Sequence, residues 1–412
     1  MAESNVAVAT WLQRLAPDVA ATVRRFPFAI VLAAGATATF LLATNYSNWL
    51  DVESWMRLFL GLATAAVCAV GGVLFAESRP EAKRAAIVLA YVLPVAVAAL
   101  MQVRDWGLVV PFTLVPASIL WLAVSPVTRI GRGAAREEQQ NRFWWLNERA
   151  ITTAALAGLA FCIIAVGIAA IERSLSVLFG VETSQIFYSW VLPFTGLFLT
   201  PVYWLATLPR LNEFDPADLE RPDFVAGAVG FMGQFVLVPF LAIYAAILLV
   251  YAGQIVITQR LPEGMIGWMV LGFVVAGAAT SLVLHPAFMR RRPLVRLFHR
   301  AWWWLTVIPL VLFAIAVWVR VDAYGLTSER LMLISGGIWG ALLALAFLFG
   351  REDIRLIPAL AGAILLVFSI GPWSYSAMPN ADQGKRLGAL LALKADLTAS
   401  VSSPTSWGES RP

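Results

Sequence analysis

Charge is what this 412-residue sequence has least of. Only 13% of its residues are Asp, Glu, Lys or Arg, about half the share found in a soluble domain. No soluble core could absorb a chain that is 60% hydrophobic, so the bilayer must be its solvent. Histidine is nearly missing, with His285 and His299 the only two. That excludes an HExxH helix, offers no Ser-His-Asp set with membrane-depth partners and leaves little material for a metal site. No catalytic residue, metal or cofactor is therefore expected, and both histidines are expected in a basic collar at the membrane surface. Cysteine is equally scarce: Cys68 and Cys162 each fall inside an apolar run and read as small buried apolar residues rather than a disulfide or redox pair. A cleavable leader is not expected either, because the run behind Arg14, Arg24 and Arg25 is too long for a signal segment and reads as an uncleaved first span.

Long apolar runs are there in abundance. Eleven are long enough to read as spans: Phe26–Thr44, Trp55–Ala76, Ala85–Gln102, Gly107–Val127, Ala150–Ile171, Ile186–Leu208, Phe224–Tyr251, Ile266–Leu284, Ala301–Val319, Leu331–Phe349 and Leu356–Trp373. None shows the short alternation of barrel strands, so the predicted class is all-α, a polytopic membrane protein of about eleven helices. The expected organisation is a cytoplasmic segment 1–25, a multi-spanning domain 26–373 with halves 26–208 and 224–373, an external interfacial helix 374–397, and a disordered Ser- and Pro-rich tail 398–412. Pro94, Pro111, Pro116, Pro193, Pro201, Pro239 and Pro309 lie within spans and are expected to kink them.

The net charge of +5 is no nucleic-acid signal in such a chain. Its basic residues read as loop anchors. With the N-terminus placed in the cytoplasm, loops on that side hold 20 of the 30 Lys and Arg; the opposite side holds 9, and Arg57 lies inside the second span. The C-terminus then falls outside. Arg129 to Arg149, with Phe143, Trp144 and Trp145, reads as a cytoplasmic basic-aromatic collar. Ile171, Leu175, Leu178 and Phe179 share a helical face and read as a short helix in the outer interface, as do Leu387, Leu390 and Leu391 in the C-terminal segment.

Two polar clusters stand out. Glu213, Asp215, Asp218, Glu220 and Asp223 could ligate a hard cation, but Asp215-Pro216 also has the form of a helix N-cap followed by proline, and the solvated cap is the preferred reading. The second is the stretch Arg320, Asp322, Tyr324, Gly325, Thr327, Glu329 and Arg330 between the ninth and tenth spans. Gly325 can take a positive φ, Thr327 is placed to cap the tenth span, and Glu329 suits its first turn. One reading is a self-neutralised turn that pins the two spans together. The other is an outward-facing polar pocket, with Arg320 or Arg330 gripping an anionic group and Tyr324 at the rim.

The chain also resembles an uncharacterised bacterial family of polytopic membrane proteins, classed as a domain of unknown function. The residues that carry the resemblance are Arg25-Phe26-Pro27, Leu178-Phe179-Gly180, Pro239, Tyr244 and Tyr251, Leu261-Pro262-Glu263-Gly264, Arg320 with Tyr324-Gly325-Leu326-Thr327 and Glu329-Arg330, and Gly371-Pro372-Trp373. It runs from about Arg24 to Leu391 and implies a bacterial inner-membrane location, with no activity attached.

Two functions follow as expectations. One is transport or binding of a small or lipidic anion in an outward-facing cavity. The other is a non-transporting sensor or partner protein that contacts other membrane proteins or lipid through its outer loops and tail. An enzymatic role is the weakest for want of catalytic groups. The charge asymmetry predicts that, of single cysteines placed at Asn5 and Ser403, an impermeant thiol reagent labels only position 403 in intact spheroplasts; labelling of position 5 alone would invert the topology.

Overall fold

The computed structural model of the protein describes residues 19–46, 49–104, 109–129, 133–180, 184–220, 224–258 and 266–402. Among them every expected span lies on a helix, and no strand forms beyond one isolated bridge between Val109 and Ile370. The helices are α1 (Pro27–Asn45), α2 (Val52–Ser78), α3 (Lys83–Leu100), α4 (Pro111–Val127), α5 (Ala134–Phe179), α6 (184–207), α7 (224–258), α8 (Ile266–Val283), α9 (Pro293–Tyr324), α10 (Ser328–Leu348), α11 (Leu356–Ser369) and α12 (Ala377–Ser402). Nine of these, α1–α3 and α5–α10, are long and apolar enough to cross a membrane, while α4 and α11 are shorter apolar helices. The protein is an all-α polytopic membrane protein.

Local chemistry sets the boundaries. Proline occupies the first turn of α1, α4 and α9, where a missing N–H costs nothing. Asp51 caps α2 by accepting from the Ser54 N–H at 3.1 Å. Four prolines inside α3, α6 and α7 are each accommodated by a π turn just before them. Leu93, Leu192, Thr200 and Val238, the residues preceding Pro94, Pro193, Pro201 and Pro239, each donate to the carbonyl five residues back. The wider turn relieves the clash of the ring with the preceding carbonyls. Pro116 and Pro309 lie within α4 and α9 in α-helical surroundings.

Three boundaries differ from the sequence expectation. The interfacial helix expected at 171–179 is the end of α5, which also contains most of the expected collar. No proline interrupts residues 134–179, isolated glycines at 158 and 167 are tolerated, and the helix stops only at Gly180, whose φ of 64° makes the left-handed cap. At the opposite end of α4, Val110 donates to the Ser369 carbonyl (2.9 Å) and the Thr113 and Ser369 hydroxyls lie 2.6 Å apart. This extended contact starts α4 at Pro111 and ends α11 at Ser369 rather than Trp373. Finally, α12 continues to Ser402, past residue 397; residues 403–412 of the expected tail lie outside the described residues, as do most of segment 1–25 and the Leu261–Gly264 motif.

The two largest of five apolar clusters among the described residues hold the bundle. The larger lies among α7–α11 around Phe273, Val274, Trp302, Phe313 and Leu343. Gly277 makes it possible: a Cβ there would fall inside the Trp302 indole. The smaller joins Phe26, Leu32, Ala65, Ala69, Leu74 and Leu205 of α1, α2 and α6. The α4–α11 pair runs between them, so close at Gly362 that a Cβ would touch Leu120. Cys68 is buried, whereas Cys162 is exposed on the outer face of α5.

Loop contacts sort into two ends. At one, Arg25 donates to both Glu77 carboxylate oxygens (2.7 and 2.9 Å) and to the Leu208 and Pro209 carbonyls beyond α6. At the same end Arg355 donates to the Val127 carbonyl that closes α4 and to the Arg129 carbonyl beyond it, and Arg290 reaches Glu137. Asp215 caps the turn after α6, accepting from the Ala217 N–H at 2.9 Å; Asp223 and the Asp218 side chain lie outside the described residues. Among the described residues no three His, Cys, Asp or Glu side chains come together.

His285 is not on the surface as expected. It is 4% exposed beneath the turn after α8, 3.3 Å from Asn141 of α5. Burial, with the positive charge of Arg290 and the His299 ring as lesser causes, lowers its pKa to about 3. The native state therefore holds His285 neutral while the unfolded chain takes a proton below about pH 6.5. Its contribution is complete above that pH and is lost as pH falls toward 3, at up to about 1.4 kcal/mol per pH unit for one proton. The melting temperature in detergent should fall from pH 7 to pH 5, and His285→Gln should flatten that slope while lowering the value at pH 8. An unchanged slope in the variant would refute the assignment.

Candidate functional site

At the other end, α8, α9 and α10 surround a cleft of about 800 Å³. The sequence forms it through one turn. α9 ends at Tyr324 because Gly325 takes φ 79° and donates to the Val321 carbonyl (2.8 Å). Thr327 caps the start of α10, its hydroxyl accepting from the Arg330 N–H (3.3 Å). The two long helices are thus joined by a three-residue link, and Val319, Arg320, Ala323 and Tyr324 are held facing Glu329, Arg330 and Leu333.

Arg320, Tyr324, Thr327, Glu329 and Arg330 all line this cleft, but Asp322 and Gly325 do not. The charges are not arranged as a simple ring of pairs. Arg330 donates to the Gly325 carbonyl (2.6 Å) and lies 5.6 Å from the centre of the Tyr324 ring. Glu329 accepts from the Trp268 indole of α8 (2.8 Å), tying α8 to α10 across the mouth. Tyr324 itself is 70% exposed at the rim.

The clasp on the turn comes from α12, which sequence reasoning read only as an interfacial helix. Asp382 accepts from the Leu326 N–H (2.8 Å), Gln383 donates to the Leu326 carbonyl (3.0 Å), and Arg386 donates to the Val321 and Asp322 carbonyls (3.2 and 3.4 Å) while paired with Asp382 at 3.3 Å. A Cβ on Gly325 would sit 2.6–2.8 Å from these three side chains. Glycine is required here twice over, for its φ and for the approach of α12. The signal in the sequence was the polar set at 382, 383 and 386 early in a helix that carries Leu387, Leu390 and Leu391 further along. Nothing local says which loop that set meets.

The comparisons with known proteins give a family but no chemistry. A family model described as "Domain of unknown function (DUF4153)" matches residues 29–402. A relative from Pasteurella multocida (strain Pm70), named Uncharacterized protein PM1469, is 26% identical over 245 residues, which is 56% of this chain and 39% of the relative. The chain thus spans about two fifths of that relative's length. No solved structure matches.

The geometry predicts an ordering of substitutions. Asp382→Ala leaves the Leu326 N–H without its acceptor and should cost about 1–3 kcal/mol. Gly325→Ala should cost at least as much, since at φ 79° and ψ 179° it adds roughly 1–3 kcal/mol of backbone strain to the crowding. Asp322→Ala touches only an exposed side chain and should change stability by less than about 0.5 kcal/mol. Melting temperatures of the purified variants in detergent check this; a loss for Asp322→Ala as large as for Asp382→Ala would contradict it.

Proposed function

The chain belongs to this family of unknown function, whose description specifies no chemistry, and from the site alone we propose that it binds a small or lipidic anion in the cleft between α8, α9 and α10. One observation carries the reading: in a chain so poor in charge, Arg320 and Arg330 converge on the wall of one cleft, facing a single acidic lining residue, Glu329. Two fixed cations beside low-dielectric walls favour an anion. The excess of Lys and Arg on the opposite loops supports placing this end outside a bacterial inner membrane.

Binding fits better than conduction. Several buried hydroxyls donate to carbonyls of their own helices, Thr37 to Ala33, Thr280 to Ala276, Ser281 to Gly277 and Thr306 to Trp303, while the Thr64 hydroxyl of α2 has no partner among the described residues. Groups bonded in this way do not provide a polar path for an ion. A second reading, that of a sensor or partner protein, draws support from α12. Its Leu387, Leu390 and Leu391 are more than half exposed, while Asp382, Gln383 and Arg386 tie its first turns to the link that shapes the cleft. A protein or lipid surface pressing on α12 would bear directly on the site.

The test is a thermal-shift titration of the full chain in detergent with paired amphiphiles, dodecyl phosphate and dodecyltrimethylammonium. The anion should raise the melting temperature and the cation should not. Arg320→Gln should weaken the anion's apparent affinity at least tenfold. Equal responses to both charges, or an unchanged response in the variant, would defeat the proposal.

A further inference from the structure

The walls of the cleft change character with depth. Tyr324, Thr327, Ser328 and Arg330 stand at the rim, Arg320 lies one helical turn further along α9, and Ala316, Val317 and Leu333 form the floor. From Tyr324 to Ala316 the descent is about 12 Å at 1.5 Å per residue. The rim lies where helices end, at the level of lipid headgroups, so the floor lies within hydrocarbon depth. The cleft is also open at its flank, where Val319 and Trp268 are 45% and 44% exposed.

Size separates the candidate ligands. A water molecule's share of liquid volume is about 30 Å³, and a free oxyanion takes only a few such shares. In a cleft of about 800 Å³ it would sit among the arginines and leave the apolar floor uncovered. A ligand that covers both regions needs an anionic head and a hydrocarbon chain. Trp268 and Tyr324 at the mouth suit it, since such rings favour the boundary between headgroup and chain.

We infer that the cleft is a site for an anionic lipid, with its phosphate headgroup at the level of Arg320 and Arg330 and the upper part of an acyl chain laid along Ala316, Val317 and Leu333. The inference rests on the anion reading above and narrows it. The ligand enters sideways from the leaflet past Val319 and Trp268. The arginines recognise the charge, and the floor adds affinity only for a ligand whose chain covers it.

The experiment uses the full chain in phosphatidylcholine nanodiscs with three probes: lysophosphatidic acid, lysophosphatidylcholine and glycerol 3-phosphate. Bound probe is counted by native mass spectrometry and affinity is followed by thermal shift. Lysophosphatidic acid should bind at least tenfold more tightly than either of the others. Arg320→Gln should remove that preference. Ala316→Leu, which fills the floor, should weaken lysophosphatidic acid at least tenfold; should it lower the melting temperature without ligand, Ala323→Leu on the exposed part of the same wall replaces it. If glycerol 3-phosphate binds as tightly as lysophosphatidic acid and both are lost in Arg320→Gln, the site is for a small anion and the lipid inference fails alone. If no anion binds, both readings fail. Lysophosphatidic acid binding that neither substitution alters would place the lipid elsewhere and overturn the inference.

Discussion

A backbone carbonyl at the end of a helix has no partner within that helix, and near a membrane an unbonded one is costly. This chain meets that constraint repeatedly with arginine. Arg25 donates to Leu208 and Pro209, Arg57 to Val103 and Arg104, Arg355 to Val127 and Arg129, Arg330 to Gly325, and Arg386 to Val321 and Asp322. In each case the accepting carbonyls close or follow a helix. The guanidinium suits the task because its fork of donors can take two acceptors, and its positive charge is favoured at the negative end of the helix dipole. Four of the five connect separate helices, so they also fix how the loops at each end of the bundle lie.

The same bonds explain why particular motifs have the form they do. In Arg25-Phe26-Pro27 the arginine bonds the chain after α6, the phenylalanine is fully buried in the smaller core, and the proline opens α1. In Leu178-Phe179-Gly180 the glycine ends a 46-residue helix. In Tyr324-Gly325-Leu326-Thr327 the glycine admits α12, Leu326 offers its N–H and carbonyl to Asp382 and Gln383, and Thr327 starts α10. A short motif that does three jobs at one link tolerates little change. It also places the cleft beside this link, so the position of Arg330 is set by helix termination as much as by any ligand.

The internal prolines show the constraint from another side. Within hydrocarbon, a proline that removes a donor would leave a carbonyl without its bond. The π turns before Pro94, Pro193, Pro201 and Pro239 shift the bonding by one residue, and the Thr200 hydroxyl adds a bond to the Thr195 carbonyl at 2.9 Å. α3, α6 and α7 thus remain continuous helices instead of breaking.

The sequence by itself determined the class and the helix content. Hydrophobic runs of membrane length can be only helices, so the helices beneath the eleven apolar runs, nine of them among the described residues long enough to cross a membrane, could be read from composition along the chain, and the Thr327 cap and Gly325 turn followed from residue type alone. Tertiary structure decided what those residues meet. The burial of His285, the single long α5, the start of α4 at Pro111 and the clasp of α12 on the Tyr324 link each depend on a partner 56 to 259 positions away or on the absence of a local breaker. The physical reason is that helix formation in lipid is driven by local backbone bonding, whereas the position of one helix against another is set by side chains such as Asp382, Gln383 and Trp268, whose partners no local pattern names.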